Sequence, residues 1–258
     1  MINIFGIGNS YTEDAHYFLK DLCKSMGVEI TCIVPFIGGH TFKRHLNSIA
    51  TDSDDYILIE NGVNTGKHVT FMEALNMKQW DIVTFNQGSV QSGRPFTYFP
   101  YINQLADLVK EHSPNAKLYI HETWAYEIDS DHPHFSFYDR NQKYMYERII
   151  DGYRLATKLL GVERIPAGTL IQYMRENIPE FDREKGGIPL TRDGYHMHLV
   201  YGRYAVALAW YGKLFGGDVR KVPFIPQVRG METDLALIEK IKEAAAVVLS
   251  QEYDDQDI

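Results

Sequence analysis

The sequence predicts an α/β protein in which helices cover both faces of a mostly parallel β-sheet. Short apolar runs alternate with helical patterns along the chain, which is typical of strands joined by crossover helices. The 258 residues suffice for one large α/β domain, and the 45% hydrophobic content is ordinary for a globular protein. Because no repeat or low-complexity linker divides the chain, we expect a single domain over residues 1–258.

The elements follow from hydrophobic periodicity and turn residues. The predicted strands are Ile2–Ile7, Val28–Pro35, Asp81–Phe85 and Lys117–His121, with a hairpin of Tyr56–Glu60 and Lys67–Phe71 around the turn-forming NGVNTG. The predicted helices are Thr12–Met26, Phe71–Met77, Tyr98–His112, Arg140–Leu160, Gly168–Asn177, Leu199–Phe215 and Asp234–Leu249. The last helix and an acidic tail, at about 232–258, either cap the sheet or mediate a homodimer. In such sheets the ligand crevice lies beyond the carboxyl ends of the strands.

Charge and cysteine content exclude several classes of function. The 26 basic and 34 acidic side chains give a net charge of −8, which argues against nucleic acid or an anionic membrane as partner. Cys23 and Cys32 are expected to be buried thiols and not a disulfide framework. The chain starts directly in a strand, so we expect a cytoplasmic protein, although a secreted chain trimmed of its signal peptide would look the same.

The stretch GIGNSYT places Ser10 at the end of the first strand, where a helical pattern begins. Ser10 is either a helix N-cap, a role that Thr12 could also fill, or a nucleophile. A serine nucleophile needs a base, a carboxylate that orients the base, and donors for the developing oxyanion. The order and placement of the remaining polar motifs decide between the two interpretations.

The segment DGYH near the carboxyl terminus offers the base and its carboxylate. Asp193 lies three residues before His196 with a glycine between them, so one turn can bring the carboxylate to one ring nitrogen and leave the other free. Oxyanion donors are expected from Gly38 and Gly39, where a backbone N–H is accessible, and from the side-chain amides of Asn86 and Gln87.

These blocks resemble those of the SGNH (GDSL-like) hydrolase superfamily. The runs FMEALNMKQWDIVTFNQGSVQSG, HETWAY and RDGYHMHLVYGRYAVALAWY are similar, more narrowly, to its DUF4886 branch. The resemblance implies a three-layer α/β/α, flavodoxin-like fold with a mostly parallel five-stranded sheet. It also implies a triad of Ser10, Asp193 and His196, and an oxyanion hole that includes the N–H of Ser10 itself.

The chain departs from the superfamily pattern in two blocks. Gly8-Asn9-Ser10 stands where Gly-Asp-Ser is usual, and Asn86-Gln87-Gly88 stands where Gly-x-Asn-Asp is usual. Related carbohydrate esterases carry a similar Gln-Gly pair. We therefore expect Gln87 to be the side-chain oxyanion donor, with Asn86 as the second choice.

The resemblance implies a serine esterase that removes short acyl groups, with O-acetyl groups on a carbohydrate as the first choice of substrate. A thioesterase or lysophospholipase with the same triad, or a non-catalytic carbohydrate-binding module, are the alternatives. His40, Tyr98 and Trp124 are expected to line the substrate site, with aromatic rings stacking on a sugar. We expect no cofactor and no metal, because His132 and His134 lack partner ligands at metal-site spacing.

Overall fold

The structure, a computed structural model, describes residues 1–251. The strands are β1 (Ile2–Ile7), β2 (Ile30–Phe36), β3 (Tyr56–Glu60), β4 (Val63–Val69), β5 (Ile82–Phe85), β6 (Lys117–His121) and β7 (Glu163–Ile165). The α-helices are α1 (Ser10–His16), α2 (Leu19–Ser25), α3 (Phe42–Ala50), α4 (Phe71–Leu75), α5 (Tyr101–His112), α6 (Gln142–Leu160), α7 (Ala167–Asn177), α8 (Tyr201–Phe215) and α9 (Leu235–Ser250).

The strands of this region form one sheet in the order β4-β3-β2-β1-β5-β6-β7. The neighbouring strands β2, β1, β5, β6 and β7 are all parallel. The hairpin of β3 and β4 extends the sheet at one edge, where β3 pairs antiparallel with β2. The predicted five-stranded parallel sheet is therefore confirmed, with the hairpin added at one edge. The register breaks at Ile57–Ile59, where a bulge bends the hairpin.

Helices cover both faces of the sheet, as the sequence predicts. Successive residues of β1 point to opposite faces, so Ile4 packs in one apolar cluster and Phe5 in the other. The first cluster holds α1, α2, α7, α8 and α9, and the second holds α3 to α6. Cys23 and Cys32 are buried free thiols in the first cluster, as expected.

Four elements differ from the sequence-based expectations. The predicted helix Thr12–Met26 is two helices, α1 and α2, and the break falls where Gly62 of the hairpin turn packs on the backbone of Tyr17. Strand β4 starts four residues before the predicted start at Lys67. Helix α3 and strand β7 have no counterpart among the predicted elements; β7, with the sequence ERI, is three residues long and too short to show a period.

Helix α9 packs against α7 and α8 and buries Ile238, Ile241 and Ala245 in the first apolar cluster. It therefore adds to the helical layer on this face of the sheet, and its predicted role, capping the sheet or mediating a homodimer, stays a prediction. The predicted acidic tail, residues 254–258, lies outside the described residues. None of the helices within residues 1–251 has the length and apolar composition needed to cross a bilayer.

Candidate active site

Ser10 is the first residue of α1 and does not cap it. The cap is Asn9, whose side-chain oxygen accepts the backbone N–H of Tyr11, while Thr12 completes a reciprocal capping box. Because Asn9 and Thr12 satisfy the helix end, the hydroxyl of Ser10 is free for another partner. The N-cap interpretation of Ser10 is thereby wrong.

The hydroxyl of Ser10 is 2.9 Å from Nε2 of His196, and Nδ1 of the same ring is 2.6 Å from Oδ2 of Asp193. The structure thus joins the three predicted triad residues in one hydrogen-bonded chain. Ser10 is half-buried, and the side chains of His196 and Asp193 are 20% and 38% exposed, so solvent and substrate can reach the chain.

The carboxylate of Asp193 is held on both oxygens. Oδ1 accepts the backbone N–H groups of Tyr195 and His196, while Oδ2 faces the imidazole. Burial alone raises the pKa of Asp193, but the hydrogen bonds from the ring and backbone of His196 outweigh it and hold the pKa below its usual range. Asp193 therefore stays ionised beside the histidine, as the orienting residue of a serine triad must.

A buried carboxylate that was not among the predicted site residues links α1 to the loop that carries His196. Asp14 is one turn after Ser10 and accepts the backbone N–H of Met197 at 2.9 Å. It also forms ion pairs with Arg192 at 2.9 Å and Arg203 at 2.7 Å. The i, i+4 spacing of Ser10 and Asp14 put them on one helix face, but only the fold shows that the loop docks there.

A second network holds the loops that surround the serine. The amide of Asn9 donates to the backbone oxygens of His40 at 3.0 Å and Gln87 at 3.2 Å. His45, fully buried, bridges the hydroxyl of Tyr56 and the backbone oxygen of Gly8, each at 2.9 Å. Burial lowers the pKa of His45 to about 3, so the ring is neutral and can fix the loop without adding charge.

The amides of Asn86 and Gln87 are engaged in this framework. Nε2 of Gln87 donates to the backbone and side-chain oxygens of Thr97, at 3.1 and 3.2 Å, and its Oε1 accepts the N–H groups of Phe42 and Gly88. Nδ2 of Asn86 donates to Asn9 and to the backbone oxygen of Gln87. Neither amide offers a hydrogen to a ligand, which contradicts their assignment as oxyanion donors.

The backbone groups predicted for the oxyanion hole are still available. Within the described chain, the N–H groups of Ser10, Gly38 and Gly39 donate no hydrogen bond. Gly39 lies against Gly88, since a Cβ at Gly88 would come within 3.1 Å of the backbone oxygen of Gly39. Both loops are fastened to Asn9, the residue before the serine, through the backbone oxygens of His40 and Gln87.

The predicted substrate contacts of Tyr98, Trp124 and His40 are contradicted by their burial. Tyr98 is fully buried and donates its hydroxyl to the backbone oxygen of Ser92 at 2.5 Å. Trp124, also fully buried, donates to the backbone oxygen of Tyr195 and thereby supports the triad loop. His40 is 8% exposed and packs edge-on against His45. All three are scaffold residues of the site.

A cavity of about 670 Å³ is lined by Gly39, one of the predicted oxyanion donors, but by none of the three triad side chains. One wall contains Gly39 and Gln87, whose loops are held to Asn9. Its other side reaches His134, which is linked to His196 through the adjacent rings of His132 and Tyr195. The volume is within the ~300–1,000 Å³ range of small-molecule sites.

Among residues 1–251, no group of three His, Cys, Asp or Glu side chains is placed to hold a metal.

Comparisons with known proteins agree with this architecture. The family model for DUF4886, a domain of unknown function, matches residues 3–244. The crystal structure of a DUF4886 family protein from Bacteroides uniformis is 31% identical, with a TM-score of 0.87 over 98% of this chain and 96% of that one. A search of curated proteins returned no match.

More distant structures share the fold. A candidate SGNH hydrolase from Slackia heliotrinireducens is 20% identical, with a TM-score of 0.53 over 81% of this chain and 96% of that one. The lipase/acylhydrolase from Enterococcus faecalis is 12% identical, with a TM-score of 0.53 over 84% of this chain and 96% of that one. The match to the family model over residues 3–244, together with the 31% identity to the Bacteroides uniformis protein, shows that the chain belongs to the DUF4886 family.

Proposed function

We propose that the protein is a serine hydrolase that cleaves short-chain acyl esters, with an O-acetylated carbohydrate as its substrate. The observation that carries the proposal is the continuous hydrogen-bonded chain from the hydroxyl of Ser10 through the ring of His196 to the ionised carboxylate of Asp193. Such a chain activates a serine, because the imidazole takes the hydroxyl proton as the oxygen attacks.

The first half of the reaction acylates the serine. Oγ of Ser10 bonds to the ester carbonyl carbon and its proton moves to Nε2 of His196. The N–H groups of Ser10 and of Gly38 or Gly39 donate to the resulting oxyanion. The tetrahedral carbon then breaks its bond to the alcohol oxygen, which leaves with the proton from Nε2.

The second half returns the enzyme to its starting state. Water gives a proton to Nε2 of His196 and its oxygen bonds to the acyl carbon. The bond to Oγ of Ser10 breaks, Oγ takes the proton back, and the carboxylic acid departs. No step needs a cofactor, since every proton moves between the substrate, water, Ser10 and His196, while Asp193 stays ionised.

The preference for a short acyl group and a saccharide alcohol is supported by the surroundings of the serine. Tyr11, the residue after the serine, stacks on Trp124 with ring centroids 4.1 Å apart and lies edge-on to His196 at 6.2 Å. The cavity that contains Gly39 is lined mainly by polar and aromatic side chains, such as Asn47, Gln91 and Tyr101. Polar groups combined with aromatic faces suit a sugar better than a long hydrocarbon chain.

The test is hydrolysis of p-nitrophenyl acetate, butyrate and octanoate by the wild type, by Ser10→Ala and by Ser53→Ala, a serine in the segment between α3 and β3. We expect the acetate to be the best substrate, Ser10→Ala to be inactive, and Ser53→Ala to retain wild-type rates. A fluorophosphonate probe should label Ser10 in the wild type, as located by peptide mass spectrometry. Substantial esterase activity in Ser10→Ala would refute the proposal.

A further inference from the structure

The cavity lined by Gly39 contains an excess of positive charge in an acidic protein. Lys43 and Arg44, in the first turn of α3, both line it, whereas its lining contains no Asp or Glu. The chain as a whole carries a net charge of −8. A cavity whose local charge opposes that of the whole molecule attracts anions selectively, because it draws them to one place on a surface that otherwise repels them.

Neither cation is neutralised by the protein. Within residues 1–251, Lys43 and Arg44 form no ion pair, and both side chains are exposed. By contrast, Arg192 and Arg203 near the triad are both paired with Asp14. Lys43 and Arg44 therefore retain their full hydrogen-bonding capacity for a ligand.

Aromatic surfaces stand next to these charges. Phe96, 70% exposed, and Tyr101 both line the cavity, and Nζ of Lys43 lies 5.9 Å from the centre of the Tyr101 ring. At the rim, the guanidinium of Arg94 packs over the rings of Phe96 and Phe137, at 4.9 and 5.0 Å. An exposed aromatic face beside a cation fits a ring that is apolar on one face and carries an anionic substituent.

We propose that this cavity binds the alcohol part of the ester and that Lys43 and Arg44 select a saccharide that carries a carboxylate. The inference rests on the proposed function, since it assigns the cavity to the leaving group of that reaction. The sugar ring lies against Phe96 and Tyr101, its carboxylate meets Lys43 and Arg44, and its acylated hydroxyl points past Gly39 toward Ser10.

The experiment compares two esters that differ by one unit of charge and one methyl group: the fully O-acetylated methyl glycoside of glucuronic acid and its carboxyl methyl ester. The assay measures released acetate, so hydrolysis of the carboxyl methyl ester, which releases methanol, gives no signal. We expect the wild type to prefer the acid in kcat/KM by at least about tenfold, the value of one charge-assisted hydrogen bond. Raising the ionic strength should reduce this preference.

The double variant Lys43→Gln/Arg44→Gln should bring the ratio of the two kcat/KM values close to one. The matched control is Lys24→Gln/Lys110→Gln, which removes two exposed charges on other helices and should keep the wild-type ratio. The proposal is overturned if the wild type treats both esters alike, or if the Lys43/Arg44 variant keeps the preference. Circular dichroism verifies that each variant is folded.

A direct measurement of sugar binding tests the anion site independently of the proposed esterase activity. Calorimetry with Ser10→Ala protein should show that methyl glucuronoside binds and methyl glucoside does not, with the difference abolished by Lys43→Gln/Arg44→Gln. If the wild type cleaves no ester but this binding pattern appears, the esterase proposal fails and the anion site stands. If esters are cleaved but the two sugars bind equally, the anion site fails alone.

Discussion

The carboxylate of Asp14, one helical turn after Ser10, accepts the backbone N–H of Met197, the residue that follows His196. The same carboxylate pairs with Arg192, which precedes Asp193 by one residue. The position of the base relative to the nucleophile thus depends on a side chain of the nucleophile's own helix. Asp14 is a positioning residue, since it acts on the triad through the loop and not on the substrate.

We predict that Asp14→Asn lowers kcat by about 10²-fold with little change in KM, because a displacement near 1 Å costs that much in an oriented reaction. It should also lower thermal stability, since two arginines lose their buried partner. Steady-state kinetics and thermal unfolding measure the two effects. Glu13→Gln is the control, because the Glu13 carboxylate makes no hydrogen bond to this loop in the described chain. Equal kinetics for Asp14→Asn and Glu13→Gln would contradict the positioning role.

Asp193→Asn should reduce kcat by about 10⁴-fold while leaving the loop intact. Asn can keep its oxygen on the N–H groups of Tyr195 and His196, where Oδ1 of Asp193 is now. Its NH₂ group would then face Nδ1 of His196 and favour the tautomer in which Nε2 carries the proton. Such a ring cannot accept the proton of Ser10. Thermal stability close to wild type together with wild-type activity would show that Asp193 has no such role.

Gly8→Ala should destabilise the protein by about 1–3 kcal/mol, the usual cost of forcing an added methyl group into a packed interior. A Cβ at Gly8 would lie 2.0 Å from Oδ1 of Asn86 and 2.1 Å from Oγ1 of Thr12, both in the buried network behind the serine. Gly38→Ala is the matched control, since a Cβ there meets no atom within 4 Å. Denaturant unfolding should separate the two variants; equal midpoints would contradict the packing described here.

The stability of the fold should decrease as the pH falls from about 6.5 toward 3. Burial lowers the pKa values of His16, His45 and His121 to about 3, while an unfolded histidine titrates near 6.5. Between these values the unfolded chain binds more protons, so each residue removes up to about 1.4 kcal/mol of unfolding free energy per pH unit. Above pH ~6.5 this contribution is fully present.

Urea unfolding between about pH 6 and pH 4 measures this dependence. His121→Leu should reduce its slope by about one proton, because the His121 ring, which packs on Trp210, is replaced by a group that cannot titrate. His68→Gln, at an exposed position of β4, should leave the slope unchanged. A slope that His121→Leu does not alter would show that this histidine titrates alike in the folded and unfolded states.

The sequence predicts the triad because each of its members carries a local signal. Asp193 and His196 are three residues apart in one turn, and Ser10 follows a strand at a helix start. The oxyanion donors carry no such signal. Whether the amide of Gln87 faces a ligand or Thr97 depends on the segment packed above it, which lies ten residues further along the chain.

The substrate contacts predicted for the aromatic residues differ from the structure for the same reason. Tyr98 begins a predicted helix after a Gly-Arg-Pro turn and Trp124 follows the end of β6, and both positions are equally compatible with an open crevice and with a packed core. Their burial follows from partners distant in sequence, such as Tyr153 against Tyr98 and Tyr195 against Trp124. Asp14 was missed because a carboxylate in the first turn of a helix is common for dipole reasons alone.

The hydroxyl and imidazole that meet in the site lie 186 residues apart in the chain. During synthesis the nucleophile therefore emerges early and its base only near the end, since translation proceeds from the amino terminus. Until the loop before α8 docks on α1, Ser10 is an ordinary alcohol, and a nascent or half-folded chain cannot attack esters around it. Under the proposed function, hydrolytic activity is consequently a late marker of folding, and its recovery after dilution from denaturant times the formation of this non-local contact.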